Sequence, residues 1–140
     1  MPYKSPKNYP MYFSCAGLAP NDSATYYFGN ISGLVPGTTI TNFLVEVPIP
    51  GTIIAAFFTC QAYTATGTNE NISLYVRKND TTDALIQTVG AATAVRYFKN
   101  TAMKLNVVAG DTLAIKMVCP AWATNPDGIR FGGMILISIP

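Results

Sequence analysis

The stretch from Gly51 to Cys60 reads GTIIAAFFTC, and from Ile53 onward only Thr59 is polar. Successive side chains of a β-strand point to opposite faces. As an unbroken strand, this run puts Ile53, Ala55 and Phe57 on one face and Ile54, Ala56, Phe58 and Cys60 on the other. FGGMILISI at 131–139 repeats the feature, with Phe131, Gly133, Ile135 and Ile137 opposite Gly132, Met134, Leu136 and Ser138. Leaving Ile54, Phe58, Met134 and Leu136 in water would forfeit about 1.5–3 kcal/mol each, or about 6–12 kcal/mol together. A whole domain is stable by only about 5–15 kcal/mol. Both faces of these strands therefore need a cover. Loops of the same chain are one such cover. A second copy of the same sheet, meeting its neighbour around the axis of a closed cyclic oligomer, is the more economical one. On that reading Ile54, Ala56, Phe58, Met134 and Leu136 form the face between subunits.

The other strands alternate normally. ISLYVRK (72–78) turns Ile72, Leu74 and Val76 inward and Ser73, Tyr75 and Arg77 outward, and TLAIKMV (112–118) turns Leu113, Ile115 and Met117 inward and Lys116 outward. Further strands are expected at 24–29, 41–47 and 84–89, and a bent strand or two strands at 94–108. NDTTD (79–83) and VAGD (108–111) read as turns, and PAWATNPDG (120–128) as a long loop. About eight short strands with Gly/Pro/Asn turns, and no 3.6-residue period, predict an all-β, eight-stranded antiparallel jelly-roll sandwich. Residues 21–140 would form this domain. Residues 1–20, broken by Pro2, Pro6, Pro10 and Pro20, would be an extended N-terminal arm. Its Tyr3, Tyr9, Tyr12 and Phe13, kept wet by Lys4 and Lys7, suit docking on a neighbouring chain better than a solvated tail.

Composition narrows the function. Charged residues make up 11% of the 140, against roughly 25% in an average domain. The net charge is +2 with no basic stripe, so no nucleic-acid partner is expected. No apolar run approaches a membrane span, and MPYKSPKNYP lacks the apolar core of a secretory signal. There is no histidine, which removes the commonest general base and the commonest metal ligand. The seven carboxylates sit mostly in turn contexts, as do Asp111 and Asp127, and Asn79, Asp80 and Asp83 supply too few oxygens for Ca²⁺. The Asn-X-Ser/Thr sequons read as chance in a Ser/Thr/Asn-rich chain. Cys15, Cys60 and Cys119 have no metal or disulfide spacing and read as buried thiols, with one pair left open. No catalytic residue, metal or cofactor is expected. Trp122 either plugs one end of the sandwich or stacks on a sugar. Tyr63, Tyr75, Arg77, Arg96 and Tyr97 make a possible outward aromatic and basic patch.

An eight-stranded chain whose third and last strands are apolar on both faces resembles the trimeric jelly rolls of the tumour-necrosis-factor and C1q-head type. The runs NISLYVRKNDTTDALIQT, VVAGDTLAIKM and PAWATNPDG…FGGMILISI resemble, more closely, small jelly-roll domains of bacteriophage virion proteins. These are head decoration (cement) proteins and tail-fibre tips. The resemblance extends over residues 24–139. It implies a homotrimer whose inner sheets surround a threefold axis, located on the capsid surface of a virion. There it would bind the major capsid protein, through Tyr3, Lys4, Tyr9, Tyr12 and Phe13 of the arm, and hold the head against the pressure of packaged DNA. The alternatives are a receptor-binding tip recognising cell-surface glycan through Trp122, and a soluble ligand of the C1q or tumour-necrosis-factor type.

Overall fold

The computed structural model describes residues 7–64 and 70–140. Its strands are β1 (Lys7–Leu18), β2 (Thr25–Phe28), β3 (Val45–Glu46), β4 (Gly51–Gln61), β5 (Asn71–Lys78), β6 (Thr82–Gly90), β7 (Arg96–Asn100), β8 (Leu105–Val107), β9 (Thr112–Val118) and β10 (Ile129–Ile139). Two antiparallel sheets face each other. Sheet A runs β1-β10-β4-β7, with β8 also paired to β4; sheet B runs β2-β9-β5-β6, with β3 also paired to β9. Among the eight main strands the first pairs with the last and the second with the second-last. The third pairs with the sixth and the fourth with the fifth. A long hairpin rolled up in this way is a jelly roll, so the predicted fold class holds.

The two additional strands have local causes. The expected strand at 41–47 is a 3₁₀ turn (Ile40–Asn42) followed by the two-residue β3. Phe43 is buried there, and its carbonyl lies against Gly29 so closely that a side chain at that glycine would collide with it. The 94–108 segment divides into β7 and β8, and in the break between them Met103 is buried and donates its backbone N–H to the Ile54 carbonyl (3.1 Å). Three residues, 79–81, join β5 to β6; Asn79 and Asp80 both have φ of 52°, and the Thr81 N–H closes the turn on the Lys78 carbonyl (3.0 Å). Asp111 closes the turn before β9, accepting from Asn79 Nδ2 and from the Val108 N–H (2.9 Å each). These bonds, the one from Asn79 first, hold its carboxyl below the usual aspartate range.

The core lies between the sheets. Phe13, Phe58, Phe98 and Phe131 project from sheet A and Phe28 from sheet B. Phe28 stacks on Phe131 (5.3 Å between centroids) and meets Phe58 edge-on (6.1 Å), while Phe13 lies 6.4 Å from Phe58. Ile72, Leu74, Val76, Leu113, Ile115 and Met117 fill the sheet B side, on the inward face that their alternation predicts.

Residues 7–18 are not an arm held away from the domain. They are the edge strand β1, paired with β10 from Lys7↔Ile139 to Leu18↔Ile129. Met11, Phe13, Cys15 and Leu18 are buried in the chain's own core. Pro10 is tolerated because β1 is an edge, where a missing N–H breaks no ladder. Of the residues expected to dock on a capsid, Phe13 is therefore a core residue. Tyr9 and Tyr12 remain exposed, and Tyr3 and Lys4 lie outside the described residues.

Candidate interaction face

The outer face of sheet A is set by a β-bulge. On β4, Leu136 of β10 is opposite Ala55 whereas Ile137 is opposite Ile53, so Ile54 is the extra residue. At the same point β4 changes partner from β8 to β7, and the Ile54 carbonyl is taken by Met103. An extra residue reverses which parity faces inward. Before the bulge Ile53 points into the core; after it Ala56, Phe58 and Cys60 do, all at 2% exposure or less. This corrects the expected interface on β4. Ala56 and Phe58 belong to the intrachain core, and Ala55, Phe57 and Thr59 face out. On β10 there is no such reversal in 131–137. Met134 and Leu136 are half-buried on the outer side, as the alternation predicts.

Across the sheet the registers align Tyr12, Met134, Phe57 and Lys99 in one row, Pro10, Leu136 and Ala55 in a second, and Ser14, Gly132, Thr59 and Tyr97 in a third. Tyr12 and Tyr97 stand clear of the sheet, at 67% and 69% exposure. Gly132 and Gly133 have opposite duties. A Cβ at Gly133 would strike the Phe57 carbonyl, so the close approach of β10 to β4 requires glycine there. A Cβ at Gly132 would meet nothing within 4 Å, so its missing side chain leaves a hollow. Phe57, Thr59, Tyr97, Lys99 and the two glycines line a shallow cavity of about 390 Å³. Among the described residues no carboxylate lines it. Phe57, expected to face the core, and Gly132 are the members of this face that sequence reasoning missed. The Gly-Gly pair in an apolar strand was the available signal for the second; nothing local signals the bulge that turns out the first.

The outer face of sheet B has different chemistry. Arg77 bonds Asp83 (3.0 Å) and Asp80 (3.3 Å), Lys116 bonds Asp83 (2.8 Å), and the Lys116 ammonium lies 5.6 Å from the Tyr75 ring centroid. Ser73 and Thr88 share a hydrogen bond (2.8 Å). Asp80 and Asp83 are thus occupied by cations of the protein itself. The aromatic and basic residues that the sequence grouped are divided between elements: Tyr75 and Arg77 on sheet B, Arg96 and Tyr97 on β7, and Tyr63 beyond the end of β4.

Trp122 is 6% exposed, and its backbone N–H donates to Asp22 Oδ1 (3.1 Å). Asn125 bonds the Pro20 carbonyl (2.8 Å) and Ala123 N–H bonds Glu70. Trp122 plugs the end of the sandwich, so a stacking platform for sugar at this residue is excluded by its burial. Cys15, Cys60 and Cys119 are all free and buried, and burial pushes each thiol up from 9.0 to about 12. Cys15 and Cys60 flank Phe131 across sheet A, two strand spacings or about 10 Å apart, beyond the reach of a disulfide. Among the described residues no three His, Cys, Asp or Glu side chains gather as a metal site.

Neither a protein-family model nor a curated protein matches the sequence. Among solved structures, a chain titled Desmodium yellow mottle tymovirus aligns with all of this chain and 91% of its own length, at a TM-score of 0.30 and 11% identity. A likeness of that size carries no argument about role; the fold assignment rests on strand order.

Proposed function

We propose that this protein is a non-enzymatic structural component of a virus particle, a homotrimeric jelly roll that decorates and stabilises a bacteriophage head. The observation that carries the reading is the outer face of sheet A. Phe57, Met134 and Leu136, each half-buried, form an apolar strip across two central strands with the buried Ala55 beside it, flanked by the exposed Tyr12 and Tyr97. Sheet faces left to solvent are ordinarily polar, as sheet B is. Packing three such faces around an axis completes the burial that the sequence demands, through Phe57 in place of Phe58. The β5–β6, β9 and β10 runs resemble phage virion domains of both heads and tail-fibre tips, and the burial of Trp122, the residue a glycan-binding tip would use, favours the head. There a trimer engages several capsid subunits at once, so contacts that are weak singly add through effective concentration.

The test has two stages. Light scattering of the purified protein should give roughly 45 kDa, three times 15.0 kDa. The protein should then bind phage heads assembled without it, at symmetry-related positions visible by electron microscopy, and show no binding on a glycan array. A chain that stays at 15.0 kDa at every concentration overturns the assembly. A trimer that ignores heads and binds glycan overturns the placement on the head.

A further inference from the structure

Two features of the outer side of sheet A complement each other. On the β1 edge Tyr12 projects from the outer face, and Glu46 of β3 is exposed beside it; the two residues line one hollow with Pro10 and Val45. On the β4–β7 side lies the hollow over Gly132, walled by Phe57 and Tyr97, with Lys99 at its rim. Among the described residues neither Glu46 nor Lys99 has an ion-pair partner, whereas the sheet B cations Arg77 and Lys116 are both paired. The β1 edge therefore offers an aromatic knob with a negative charge, and the face from β10 to β7 a glycine-floored hollow with a positive charge.

Knob and hollow are different patches of one sheet face, Tyr12 on β1 and the hollow across β10, β4 and β7. A contact between copies that joins them is head-to-tail, the kind that closes into a ring. We infer that the occupant of the Gly132 hollow is a second copy of this chain: Tyr12 of one copy enters between Phe57 and Tyr97 of the next, and Glu46 pairs with Lys99. This rests on the trimer proposed above and specifies its contact. The uncharged floor suits an aromatic ring, and the lone cation at the rim selects an acidic neighbour, which the Tyr12 edge supplies.

Gly132→Leu tests the contact without disturbing the subunit, because a Cβ at 132 meets nothing within 4 Å. It should remain folded, with unchanged near-ultraviolet circular dichroism, and sediment as a monomer at concentrations where the wild type is a trimer. Glu46→Lys and Lys99→Glu, both at exposed positions, should each weaken the trimer at least tenfold in dissociation constant. The double reversal should restore it to within a few-fold. A wild-type trimer that tolerates Gly132→Leu, or a double reversal as weak as the singles, overturns this contact while leaving the assembly standing. If Gly132→Leu trimers lose only their binding to phage heads, the hollow belongs to a capsid segment and the inference fails. A wild-type monomer overturns contact and assembly together.

Discussion

Sheet B turns Ser73, Tyr75, Arg77, Asp83 and Lys116 to the outside, while sheet A turns out Ala55, Phe57, Met134 and Leu136. The two sheets share a core and a strand order, and their inner faces are equally apolar. Their outer faces differ in chemistry: one is charged and polar, the other apolar along its central strands. On sheet B Arg77 and Lys116 are paired with Asp80 and Asp83, three to 33 residues away, and the Ser73 and Thr88 hydroxyls bond each other. On sheet A the central strands turn out Ala55, Phe57, Met134 and Leu136, and Thr59 is the exposed polar residue among them. On the proposed function the sheet A face is the one that meets a partner, and the polar sheet B face is the one that meets water.

The contrast breaks most visibly at adjacent residues of β4. Phe58→Ala removes a ring packed against Phe13 and Phe28, and should cost about 3–5 kcal/mol in denaturant unfolding of the subunit. Phe57→Asp, one residue earlier and on the opposite face, should leave the subunit folded and abolish the trimer. If Phe57→Asp unfolded the subunit as Phe58→Ala does, the assignment of the two faces by the Ile54 bulge would be wrong.

The buried thiols sharpen the comparison from inside. Their pKa values are raised in the folded state, from 9.0 to about 12. The stability they contribute is therefore complete below about pH 9 and is lost as pH rises from 9 toward 12, because the unfolded chain ionises first. Unfolding followed by denaturant at pH 8 and pH 10.5 should show the decline, and Cys15→Ala/Cys60→Ala/Cys119→Ala should flatten it. In the native protein at pH 8 none of the three should react with a disulfide reagent on the timescale of mixing. The smallest effect belongs to sheet B. Asp83→Ala removes both the Arg77 and the Lys116 pair, yet these pairs are partly solvated and should be worth only about 0.2–1 kcal/mol each. The trimer should persist in this variant. Its dissociation would mean that the charged face, rather than the apolar one, joins the subunits.

Much of this architecture is legible in the chain. The alternation of Ile72, Leu74 and Val76 with Ser73, Tyr75 and Arg77 states which face is wet, because a strand has a fixed period of two. The apolar character of 53–60, interrupted only at Thr59, and of 134–137 predicts strands covered on both faces; the structure buries Phe58 within the chain and leaves Phe57, Met134 and Leu136 half-buried on the outer face. The turns at Asn79–Asp80 and Gly110–Asp111 are local, so their residues name them.

What tertiary structure alone decided is phase and pairing. Which of Phe57 and Phe58 faces out depends on the extra residue at Ile54, and that bulge is held by an N–H from Met103 and by the exchange of β8 for β7, neither of which is nearby in sequence. Residues 7–18 read as an arm because Pro10 and scattered aromatics have no local partner; their partner is β10, at the far end of the chain. Local periodicity determines that a strand forms and how apolar it is, while the side it shows and the strand it joins are fixed by hydrogen bonds between distant residues.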